Sequence, residues 1–143
     1  MKITHVEKRE LAAYLPLPLF STRIAAGFPS PADDYVESTL DLNEHLIRSP
    51  SSTYFVRASG DSMTEYGIQD GALLIVDRAV TPRQGHVVIA AVNGELTCKL
   101  LDIAGQQLLA GNSAYPPIPI KEESALSIEG VVLHAINSLC TPW

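Results

Sequence analysis

The chain has 143 residues, 46% of them hydrophobic, and a formal net charge of −6, enough to bury one good core, with little room for a second full domain. The charge is uneven: residues 1–26 carry Lys2, Lys8, Arg9 and Arg23 against Glu7 and Glu10, a net +2, and the rest carries six cations against fourteen acids, a net −8. Such a body lacks the positive field that holds phosphates, so direct DNA binding is not expected, although a mildly basic arm can be drawn to it.

Met1 to Glu10 scatters charges and contains no uninterrupted apolar stretch, so neither a signal peptide nor a membrane span is expected and a cytoplasmic location is. Leu15-Pro16-Leu17-Pro18-Leu19-Phe20 alternates proline with large apolar residues and resists helix formation. Gly27-Phe28-Pro29-Ser30-Pro31 resists regular structure again. Residues 1–33 therefore read as a mobile N-terminal arm ahead of a body spanning 34–143. Asp41, with Glu44 three residues on, forms a capping box before His45-Leu46-Ile47 and predicts a short helix.

Strands follow. Tyr54–Ala58, Ala72–Val76, His86–Val92, Glu95–Asp102, Gln107–Leu109 and Val131–Ala135 are short apolar runs bounded by glycine, proline or asparagine. Asn93-Gly94 predicts a type I′ hairpin that sets Glu95–Asp102 beside Val87–Val92. The fold class is thus mainly β, with one or two short helices and an extended arm. The two cysteines, Cys98 and Cys140, make no disulfide framework and no Cys-x-x-Cys spacing occurs, which fits a reducing compartment, no metal and no cofactor.

The chemistry gathers at Ser62, in Ser59-Gly60-Asp61-Ser62-Met63, and at Lys99, in Glu95-Leu96-Thr97-Cys98-Lys99-Leu100. A serine hydroxyl attacks a carbonyl once a base takes its proton, and a desolvated lysine can be that base. A strand ending at Ser59 and a polar turn would expose Ser62 at the start of a short helix, with the amides of Asp61 and Ser62 placed to form an oxyanion hole. Residues two apart share a strand face, so Thr97 lies alongside Lys99 to orient its amine while Cys98 packs on the other side. Taken alone, Gly-Asp-Ser is a common turn and Lys99 a strand lysine snorkelling to water. Their order after a flexible Ala26-Gly27 bond is what joins them into a protease carrying its own substrate. None of His5, His45, His86 and His134 competes well for the role of base.

Ser59-Gly60-Asp61-Ser62-Met63, Asp70-Gly71-Ala72-Leu73-Leu74-Ile75-Val76-Asp77, Glu95-Leu96-Thr97-Cys98-Lys99, Gly111-Asn112-Ser113-Ala114-Tyr115 and Gly130-Val131-Val132 resemble the LexA/UmuD family of self-cleaving Ser-Lys peptidases (S24 type). Pro18-Leu19-Phe20-Ser21, Gly27-Phe28-Pro29-Ser30-Pro31-Ala32 and Tyr54-Phe55-Val56 place the resemblance on the UmuD-like, SOS mutagenesis side. No helix-turn-helix pattern precedes the arm, so a repressor role is not expected. The resemblance implies a compact, mostly β peptidase domain, a homodimer, and cleavage of Ala26-Gly27 stimulated by the RecA–single-stranded DNA filament. It also implies Ser62 as nucleophile, Lys99 as general base, and a shortened product that assists a Y-family translesion polymerase subunit. The competing expectation is a polymerase-binding accessory module with a relic dyad.

Overall fold

A computed structural model describes residues 1–8, 14–20, 36–122 and 125–140; the Ala26-Gly27 bond lies outside the described residues. In chain order the elements are β1 (Lys2–Lys8), β2 (Leu17–Phe20), β3 (Val36–Leu40), helix α1 (Leu42–Leu46), β4 (Thr53–Ser59), β5 (Leu73–Asp77), β6 (Val87–Val92), β7 (Glu95–Asp102), β8 (Gln107–Leu109), β9 (Ile118–Pro119) and β10 (Leu126–Ile136). The protein is mostly β, as its short apolar runs predict. It divides into two units, Met1–Arg9 with Ser49–Trp143, and Glu10–Arg48.

In the larger unit eight strands form one sheet in the order β1-β4-β5-β10-β6-β7-β8-β9, and β1 also reaches β7. The sheet therefore rolls into a barrel closed at one place: Lys2 pairs with Ser59 of β4 and with Thr97 of β7. Beyond this bridge β7 turns its edge to β8, pairing Leu100 with Leu109. The expected hairpin is present. Val92 pairs with Glu95, and Asn93 and Gly94 both take positive φ, 51° and 84°, as a type I′ turn requires.

β6 shows why its run reads as continuously apolar. Ile89 packs into one core with Met63, Leu74, Val76 and Cys98. Val88 and Ala90 face the opposite way, into a second core with Leu101, Leu108 and Val131. Both faces of the strand are covered, so the period of two is hidden by apolar residues on each side.

The smaller unit pairs β2 with β3, from Leu17 opposite Leu40 to Phe20 opposite Val36. Asp41 caps α1 as expected, accepting from the Glu44 amide at 3.1 Å, and it also accepts from the Leu15 amide at 3.2 Å. The division expected at residue 33 is not the one the structure draws. Lys2–Lys8 is a strand of the main sheet, and Leu17–Phe20 pairs antiparallel with Val36–Leu40, residues the sequence assigns to the body. Lys2 to Lys8 has no apolar run to announce a strand; its backbone is recruited by the open edge of β4.

Gly130 allows β10 to serve two neighbours. The strand pairs with β6 up to Val131 opposite Val88 and with β5 from Val131 opposite Asp77 onward, with a register shift between Ile128 and Gly130. Gly130 has φ +156°, and a β-carbon there would lie 2.5 Å from Val76 Cγ1 and 3.4 Å from the Asp77 carbonyl oxygen. Gly130→Ala is expected to destabilise the protein by about 1–3 kcal/mol through overpacking against the core. Urea unfolding of the two chains measures this, and an unchanged midpoint would reject it.

Candidate active site

Ser62 is presented by a turn between β4 and a three-residue 3₁₀ segment, Thr64–Tyr66. The expected helix is thus only a tight turn, too short to supply a helix dipole, because Gly67 leaves the helical region at φ 81°. The turn is held from three sides. Met63 is fully buried in the core. The Gly60 amide donates to Asp70 Oδ1 at 2.8 Å. The segment Gly111–Tyr115 supplies the rest: the Gly111 amide donates to the Ser62 carbonyl at 2.6 Å, Asn112 Nδ2 donates to the Asp61 carbonyl at 3.2 Å, and the Tyr115 hydroxyl donates to Asp61 Oδ1 at 2.6 Å. That hydrogen bond to Asp61, and then the carboxylate's charge, raise the Tyr115 phenol above its ordinary value.

Lys99 comes from β7, which the type I′ hairpin sets against β6, with Val88 opposite Lys99. Its Nζ lies 3.0 Å from Ser62 Oγ. Both residues are buried, Ser62 at 1% exposure and Lys99 at 5%. The Tyr115 ring centroid is 5.9 Å from Lys99 Nζ. On the opposite face of β7, Cys98 is packed in the core and burial pushes its thiol up to about 12, leaving no accessible thiolate for nucleophilic chemistry.

Met1, which the sequence gives no reason to single out, occupies the same place. Its α-amino group is hydrogen-bonded to Ser62 Oγ. Its carbonyl accepts from Thr97 Oγ1 at 2.9 Å and from the Cys98 amide at 2.9 Å. The Thr97 hydroxyl, expected to orient Lys99, here holds the end of β1. The structure therefore brings Ser62, Lys99, Thr97 and Asp61 together and adds Met1, Asn112 and Tyr115. The last two sit in Gly111-Asn112-Ser113-Ala114-Tyr115, a segment that the family resemblance marks but that composition alone does not.

Beside Lys99 opens a cleft of about 510 Å³, lined among others by Leu96, Thr97, Tyr115, Pro116 and Ile118, with Met1 and Lys2 on its wall. Among the described residues no group of three or more His, Cys, Asp or Glu side chains converges to hold a metal, and no helix is long and apolar enough to cross a membrane.

Comparison with known proteins places the chain. Residues 18–133 match the family described as Peptidase S24-like. The chain is 47% identical to Protein SamA of Salmonella typhimurium over 85% of its own length and 87% of that protein's. It is 38% identical to Protein MucA of Escherichia coli over 95% and 94%. It is 36% identical to the LexA repressor of Photorhabdus laumondii over 85% of this chain and 61% of the repressor. The chain belongs to the S24-like peptidase family, the LexA/UmuD-type family that its motifs resemble.

Two expectations follow from the geometry. Desolvation, then the hydrogen bond and charge of Lys99, lower the Met1 α-amine from 8.0 to about 5, against weaker opposing effects of Cys98 and Asp61. An amine whose seated value lies below its free value is held best when neutral, so the seat is at full strength above about pH 8 and weakens as pH falls toward 5. Hydrogen-exchange protection of the β1 amides should fall over that range while that of β5 holds; parallel behaviour of both strands would refute this. Secondly, a β-carbon on Gly111 would lie 2.4 Å from the Tyr66 ring and 3.2 Å from Met63 Cα. Gly111→Ala should therefore shift the serine turn and slow acylation of Ser62 by a fluorophosphonate roughly tenfold or more, since small misplacements at a reacting centre carry large rate losses. Unchanged labelling would show that the brace is dispensable.

Proposed function

We propose that this chain is a serine endopeptidase that cleaves its own Ala26-Gly27 bond. The observation that carries the reading is the buried 3.0 Å approach of Lys99 Nζ to Ser62 Oγ, nucleophile and base within proton-transfer distance. Lys99, as the neutral amine, takes the Ser62 proton while Oγ attacks the Ala26 carbonyl carbon. The amides of Asp61 and Ser62 stabilise the resulting oxyanion. Lys99 then passes the proton to the departing Gly27 amine, and water attacks the remaining ester with Lys99 again as base. Thr97, on the same strand face, orients Lys99 once its hydroxyl is released from the Met1 carbonyl.

Membership of the S24-like family and its relation to a LexA repressor support a role in the SOS response to DNA damage. Within that role we place a cytoplasmic homodimer, stimulation by the RecA–single-stranded DNA filament, and a shortened product that assists a Y-family polymerase subunit in translesion synthesis. A second reading, an accessory module with a relic dyad, draws on the closure of Ser62 beneath Met1.

The two readings part on self-cleavage. Incubation at raised pH should divide the chain into residues 1–26 and a body beginning at Gly27, as read by mass spectrometry. Ser62→Ala and Lys99→Ala should each slow this roughly a thousandfold or more while thermal melts remain cooperative. Processing at an undiminished rate in either variant would reject the dyad, and a different new N-terminus would reject the bond. Gly27→Glu should block cleavage with the dyad intact, because a side chain obstructs the close approach that glycine permits.

A further inference from the structure

Ser62 is nearly inaccessible in this structure, and what closes it is the chain's own first strand. The cleft beside Lys99 reaches that residue but is not lined by Ser62. Met1 lies between, itself 5% exposed and packed among Met63, Ile68 and Cys98. Its amine is on Ser62 Oγ, its carbonyl receives two hydrogen bonds from β7, and Lys2 bridges β4 and β7. A carbonyl carbon attacked by Oγ must come within about 3–3.5 Å of it, into the space that Met1 fills.

We propose that strand β1 is a built-in competitor for the peptide site: Met1 and Lys2 occupy the groove in front of Ser62, and the scissile segment enters when they withdraw. The inference rests on the dyad reading of Ser62 and Lys99. Extended backbone is what the groove accepts, since β1 is held there by ladder pairing to β4 and by main-chain contacts to β7, the way an open sheet edge binds a peptide. The occupant is also releasable. β1 joins β4 along its length, but its pairing with β7 is confined to Lys2 opposite Thr97, and its ladder to β4 is broken by a register shift between Ile3 and His5. The rate at which Ser62 is acylated then scales with the fraction of molecules in which β1 has left.

The test uses the full chain carrying Gly27→Glu, so that the arm is not consumed. Two changes loosen β1 without touching the dyad. Lys2→Pro removes a backbone donor at the bridge, and a short Gly-Ser extension ahead of Met1 leaves no room for the chain end at Ser62. Each should speed labelling of Ser62 by a small fluorophosphonate roughly fivefold, with hydrogen exchange showing loss of β1 protection and retention at β5 and β10. With Gly27 restored, self-cleavage at raised pH should accelerate in parallel. Equal, measurable labelling in parent and variants, with β1 shown to be released, overturns the inference and leaves the dyad standing. Absence of labelling in every form, β1 released or not, overturns both.

Discussion

A buried amine must find a hydrogen-bonding partner or lose the solvation it had in water. Lys99 meets that requirement at Ser62 Oγ, 3.0 Å away, and much of the larger unit is arranged around the contact. β7 delivers the lysine from a sheet whose hairpin register leaves no freedom to slip, since a one-residue shift would exchange Lys99 with Cys98. The serine arrives on a turn that has little internal structure and is held instead by Met63 in the core and by the Gly111–Tyr115 segment. A rigid strand thus supplies one partner and a braced loop the other.

The loop's bracing is polar and its anchor apolar, which separates two roles. Met63 keeps the turn against the core through burial, which is non-directional. Asn112, Tyr115 and the Gly111 amide set its orientation, because hydrogen bonds have preferred directions. Chemistry that needs atoms placed to within a fraction of an ångström requires both. The same loop places Asp61 beside Tyr115, so the carboxylate next to Ser62 is engaged by a phenol.

Closure of the barrel by β1 links the site to the chain's beginning. A sheet edge with unpaired amides and carbonyls takes a strand when one is offered, and β4 takes Lys2–Lys8. The Met1 carbonyl completes the exposed edge of β7 near Thr97. The groove beside Lys99 consequently holds β1 by the backbone of Met1 and Lys2, with the Met1 side chain seated in the core.

The amino-acid sequence by itself determined the mainly β class, the strands from β4 to β8, the Asp41 cap and the Asn93-Gly94 turn, because each depends on local periodicity or on backbone preferences of one or two residues. It also marked Ser62 and Lys99, since a serine on a glycine turn and a lysine within an apolar strand are unusual enough in combination to stand out. β9 was too short to register. β10 runs well beyond Val131–Ala135, since its Gly130 kink interrupts the pattern. Only the tertiary structure decided that Lys2–Lys8 is a strand of the main sheet, that Asn112 and Tyr115 hold the serine turn, and that Met1 sits on Ser62. These are contacts between residues more than forty positions apart, made through backbone edges and loop ends that carry no periodic signal, so they exist only once the sheet has closed.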